Sequence, residues 1–136
     1  MENEIEDELI TPETARLAKE KGFDLNLPIR YFRIGDKIID AHIAFADNAD
    51  EELGQAPTQS LLQRWLRQVH GLEIQIFTMG IFMNKLTNPF TEFKTSKPFK
   101  KYCFGLNAHY GNDDRGFDTY EKALEKALQT ALEIIK

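Results

Sequence analysis

Ile29-Arg30-Tyr31-Phe32-Arg33-Ile34-Gly35-Asp36-Lys37-Ile38-Ile39-Asp40-Ala41-His42-Ile43-Ala44-Phe45 sets the fold class. Two runs rich in Ile, Tyr and Phe flank Gly35-Asp36, a pair suited to a tight hairpin turn. Residues 29–34 and 37–45 are therefore read as two antiparallel strands. In the second run Ile39, Ala41, Ile43 and Phe45 alternate with Ile38, Asp40, His42 and Ala44. The first set is the more apolar and is expected to face the core.

On the N-terminal side, Thr11-Pro12 is a helix start, a capping hydroxyl followed by Pro at the first helical position. Gly22 stands where a C-terminal cap belongs, with Phe23 placed to fold back, so a helix is expected over 12–21. Residues 1–10 hold five acidic side chains and no Lys or Arg, and are read as an acidic tail preceding a single α+β domain over 11–136.

On the C-terminal side, 46–56 reads as an acidic loop with Asp47, Asp50, Glu51 and Glu52. Pro57-Thr58 opens a second helix that carries Leu61, Leu62, Trp65, Leu66 and Val69 on one face and ends at Gly71. Leu72–Met79 and Phe99–Tyr110 alternate as strands and are expected to pair as an antiparallel hairpin across a long connection, 84–98. Asp118 and Glu121 form a capping pair for a last helix, whose buried stripe is Tyr120, Leu124, Ala127, Leu128, Ala131 and Ile135. The order is α-ββ-α-ββ-α, and the expected architecture is a four-stranded antiparallel sheet with helices packed mainly on one face.

The composition allows such a domain. The chain has 136 residues, 42% hydrophobic and 29% charged, enough to bury roughly 68–70% of the unfolded surface without disulfide or metal. A single Cys, Cys103, leaves no internal disulfide, which fits a reducing compartment. The acidic start is not a secretory signal, and no apolar run reaches the ~18 residues of a membrane span. The expected location is the cytoplasm, with no membrane partner. The net charge of −5 argues against a general nucleic-acid binder. The charge is uneven, however. Residues 1–57 hold 14 acidic and 6 basic side chains, and residues 58–136 hold 8 and 11.

Three stretches have relatives of similar wording: Ala18-Lys19-Glu20-Lys21-Gly22-Phe23, Ala56 to His70 (APTQSLLQRWLRQVH), and Tyr120 to Leu128 (YEKALEKAL). They resemble segments of small proteins from phages and integrated mobile elements of gut bacteria, in the same order along the chain. The resemblance implies an accessory protein of such an element. No activity attaches to that family, so no functional residue is carried over from it.

Catalytic patterns are weak. Cys103 and His109 share a strand face, but six residues of strand separate them by roughly 20 Å, beyond the reach of a thiol and its base. His42, His70 and His109 are scattered and lack metal-ligand spacing, and no phosphate-binding glycine motif occurs. The expectation is a non-enzymatic protein with no cofactor and no bound metal. The candidate interaction surface is Phe77 and Met79 on the second sheet face, together with Phe90, Phe93, Lys94, Lys97, Lys100 and Lys101. Rings interleaved with Lys stack on bases and hold phosphates, dock on proteins, or merely form a solvated connection. A protein partner is the first expectation, a nucleic acid the alternative and an unidentified enzyme activity the third. An uncovered apolar sheet face also predicts a homodimer.

Overall fold

Thr11 and Pro12 start α1 (Pro12–Glu20) where the sequence places them in the computed structural model, which describes residues 7–78, 101–107 and 116–136 and the backbone of 109–110. The helix closes on Lys21. Gly22 then takes φ 89°, and the Phe23 N–H returns to the Ala18 carbonyl at 2.9 Å. This left-handed closure turns Phe23 inward, where its ring meets Trp65 edge-on at 5.1 Å.

The hairpin forms with the expected turn. β1 (Ile29–Ile34) pairs antiparallel with β2 (Lys37–His42), and Ile34 stands opposite Lys37 across Gly35-Asp36. The second strand is shorter than its alternation suggests, because Ile43–Phe45 winds into a single 3₁₀ turn. The His42 ring accepts the Ala44 N–H at 3.0 Å and so caps that turn.

Residues 46–56 are not all loop. Glu51–Gln55 forms β3, which pairs antiparallel with β1 on the side away from β2. β2 and β3 are thus parallel to each other, and the 43–50 connection has to pass β1 to join them. Phe32 lies on the face of β1 opposite Tyr31, is only 4% exposed, and stands apart from the main core cluster.

α2 (Gln59–His70) is capped by the Thr58 hydroxyl, which accepts the Leu61 N–H at 3.2 Å, and it ends at Gly71 in the left-handed region. β4 (Ile74–Thr78) pairs antiparallel with β5 (Tyr102–Leu106), as expected, and the register sets Phe77 opposite Cys103. The chain reverses at Asn107, and β6 (His109–Tyr110) returns along β5. α3 (Tyr120–Ile134) is capped by Thr119, whose hydroxyl accepts the Lys122 N–H at 3.1 Å; the expected cap, Asp118, instead bonds Lys101.

The protein is α+β, with three helices and two separate antiparallel sheets among the described residues, β2-β1-β3 and β4-β5-β6. The single four-stranded sheet expected from the sequence is corrected on this point. β1 spends its second edge on β3, leaving none for β4 or β5. α3 is the shared wall. Its buried residues Ala123, Leu124, Ala127, Leu128, Ala131 and Leu132 pack against both other helices and the second sheet.

Two further expectations change. Residues 7–10, placed in a tail by their charge, are held: Leu9 bridges to Thr58, the Gln59 N–H donates to the Glu8 carbonyl at 2.7 Å, and Ile10 is fully buried. The expected core face of the second strand, Ile39, Ala41, Ile43 and Phe45, is largely exposed, because α1 packs on β3 and leaves β2 as the far edge.

The Tyr31 hydroxyl donates to the Ile10 carbonyl. Burial raises the ionisation of this phenol above its usual value of 10.0, and the Asp40 and Glu125 carboxylates push it the same way. A raised folded-state value gives stability that is complete below the unfolded value and disappears as pH climbs through the folded one. The urea midpoint is therefore expected to hold to pH 9 or so and fall above about pH 10. Tyr31→Phe should cost about 1 kcal/mol at neutral pH and flatten that alkaline decline. An unchanged alkaline slope in the variant would show that Tyr31 is not its source.

Candidate interaction surface

Of the residues singled out from sequence, only Phe77 and Lys101 lie within the described residues; Met79, Phe90, Phe93, Lys94, Lys97 and Lys100 fall outside them. Phe77 is half-buried on β4. The Lys101 amine donates to the Asp118 carboxylate, and this bond, followed by the lysine's charge, holds the acid below the ordinary carboxylate range.

Cys103 and His109 do not share one continuous strand, because β6 folds back and sets His109 opposite Leu106. Cys103 then lies three residues along β5 from that position, roughly 10 Å by strand rise. His42 sits on the outer strand of the other sheet. Among the described residues, no group of three His, Cys, Asp or Glu side chains is placed to hold a metal, and no helix is long and apolar enough to cross a membrane.

The unusual surface lies on the first sheet. Among the described residues β2 is a terminal strand, and the large apolar side chains on and after it face solvent: Ile38 is 49% exposed, Ile39 41%, Ile43 46% and Phe45 84%. They fall within one eight-residue stretch. Ile38 and Ile39 point to opposite faces of the sheet, so both faces are apolar at this edge.

No family model, curated protein or solved structure matches this chain. Its surfaces therefore have to be read from their own chemistry.

Beside Ile38 an open groove of ≈ 400 Å³ runs between α1 and the sheet. Leu17, Leu53 and Ile38 supply its apolar lining, while Glu13, Glu20 and Glu133 outnumber Arg16 in charge. The 36–52 segment is acidic as well. Residues 36–52 hold six Asp and Glu against Lys37 alone. Arg33 engages Asp50 and Glu51, and Arg30 engages Glu52. Asp36, Asp40 and Asp47 are exposed and make no ion pair among the described residues.

Sequence reasoning placed Ile39, Ile43 and Phe45 in the core and so missed this surface. A signal was present. Ile38-Ile39 are consecutive apolar residues in a strand whose neighbours alternate, so whichever way the strand is turned one of the two has to lie on the less buried face. The run of acids that follows marks water on at least one side.

Proposed function

We propose that the chain is a non-enzymatic accessory protein that works by protein–protein contact, docking through the outer edge of β2 and the 3₁₀ turn after it. The observation that carries this reading is the run of exposed apolar side chains from Ile38 to Phe45. Four large apolar side chains exposed within eight residues are more than the singly scattered ones that a surface carries without a partner. The likeness of 18–23, 56–70 and 120–128 to phage and mobile-element proteins supports a role as an accessory of such an element. Phe77 and the aromatic-lysine stretch 84–101 are a second contact region in this reading. Self-association through the Phe77 face is a separate proposal, read from the mass in solution by light scattering.

The test is capture from the source cells with wild-type protein and the Ile43→Asp/Phe45→Asp variant side by side. Both positions are exposed, so the double variant should fold within about 1 kcal/mol of wild type, about 0.5 kcal/mol for each change. Partners held by wild type and lost from the variant are the expected result. Identical recoveries would place the contact surface elsewhere.

A further inference from the structure

We propose that β2 accepts an added strand from a partner protein, and that this strand alternates lysine or arginine with apolar residues. The proposal rests on the reading of the β2 edge as the docking surface and names what docks there.

The Arg33 carbonyl takes the Asp50 N–H at 2.8 Å and the Ile29 carbonyl takes the Ala56 N–H at 3.0 Å, so the odd residues of β1 bond toward β3. Its even residues therefore bond toward β2. Ile34 pairs with Lys37, Phe32 with Ile39 and Arg30 with Ala41. Hydrogen-bonded and non-bonded pairs alternate along an antiparallel ladder. Lys37, Ile39 and Ala41 consequently spend their amides on β1, and the Ile43 N–H continues the series to the Pro28 carbonyl at 2.8 Å. The N–H and C=O groups of Ile38, Asp40 and His42 point away from the sheet, on a strand with no neighbour beyond it among the described residues. That row is a template for strand addition.

The side chains then choose the occupant. Residues of an added strand alternate between the two faces. On one face they stand beside Ile38, Asp40 and His42 and at the mouth of the groove lined by Glu13, Glu20 and Glu133. A lysine or arginine there lays its stem on Ile38 and brings its charge to the carboxylates. On the other face they stand beside Ile39 and Ala41, where an apolar residue is the matching cross-strand partner. A second copy of β2 is a poor occupant. In every two-fold antiparallel register the copy brings its own Ile38, Asp40 and His42 to the face of the groove, with no lysine or arginine to meet the carboxylates, and pairing centred on Asp40 sets two carboxylates opposite each other.

The probe is a blocked eight-residue peptide alternating lysine and valine, with a glutamate-valine peptide as control. Binding is read by fluorescence anisotropy and site by site from amide hydrogen exchange. The lysine peptide is expected to bind at least about 10-fold more tightly than the glutamate peptide, a difference of about 1.4 kcal/mol. It should weaken several-fold between about 50 mM and about 500 mM salt, and slow exchange at the Ile38, Asp40 and His42 amides. Asp40→Pro removes an outward N–H without touching the ladder to β1 and should abolish binding. Asp40→Lys leaves the backbone intact and should reverse the preference, which keeps the test valid if the proline variant does not fold. No binding of the lysine peptide, equal binding of the two peptides, or protection only at other amides overturns the proposal. If Ile43→Asp/Phe45→Asp loses the cellular partner while Asp40→Pro retains it, the surface stands and strand addition falls. If neither variant loses the partner, both readings fall.

Discussion

Gly54→Ala is expected to lower stability by about 3 kcal/mol, at the top of the usual range for overpacking. A Cβ at this position would stand 2.6 Å from the Ala15 carbonyl oxygen and 3.0 Å from its carbon. These are backbone atoms of α1, so no side-chain rotation relieves the clash. The helix and β3 have to separate, and Leu53 beside Gly54 is part of the core that then opens. Gly35→Ala is the control. It also sits at positive φ, 61°, but a Cβ there meets nothing within 4 Å, so it should lose only the about 1–2 kcal/mol of a left-handed residue. Urea titrations followed by circular dichroism compare the two at constant slope. A Gly54→Ala loss no larger than that of Gly35→Ala would mean that α1 does not rest on β3 through this contact.

The same glycine shows where sequence reading stops. Thr11-Pro12, Gly22, Thr58 and Gly71 announce helix ends through local chemistry, and the helices begin and stop beside them. Gly35-Asp36 announces a turn just as locally, and the 29–34 strand is recovered residue for residue. Glu51-Glu52-Leu53-Gly54-Gln55 has poor strand propensity, two acids and a glycine. It becomes a strand because β1 offers an edge and because Arg30 and Arg33 take up its carboxylates. Those are tertiary causes, invisible in a window of five residues. A glycine inside a run is nevertheless a known mark of close backbone approach, and that signal was available at Gly54.

The division into two sheets was hidden for a related reason. Counting four strands suggests one sheet until β3 occupies the second edge of β1. The candidate surface followed from that error: a β2 within a single helix-covered sheet would have one buried face, whereas a β2 at the outer edge exposes Ile38 and Ile39 alike. That Phe77 and Cys103 share a face was legible, because a period of two fixes the faces of both strands once their pairing is assumed.

Glu125→Ala is expected to cost about 3–4 kcal/mol, the sum of several donors left without an acceptor at about 1–3 kcal/mol each, reduced where water reaches them. In the sequence Glu125 is simply a polar residue between the Leu124 and Leu128 positions of an amphipathic helix. In the fold it joins α3 to α1 and α2. Its Oε2 accepts the Thr11 N–H at 3.0 Å, the Thr11 hydroxyl at 2.9 Å and the Thr14 hydroxyl. Its Oε1 accepts the Gln59 amide at 3.0 Å. Thr14 is fully buried and Gln59 nearly so. The carboxylate also lies at the first turn of α1, where the helix presents unpaired N–H groups and its positive end. Alanine removes the acceptor and the charge together, while Glu125→Gln keeps one oxygen and turns an NH₂ toward donors, so its loss should be intermediate. Thr14→Val deletes one donor and keeps the shape. Because the two side chains bond directly, the loss in the Glu125→Ala/Thr14→Val double variant should fall short of the sum of the single losses by more than about 1 kcal/mol. Additive losses would show that Glu125 is only a surface acid that happens to lie near α1, and the helices would then be held together by their apolar stripes alone.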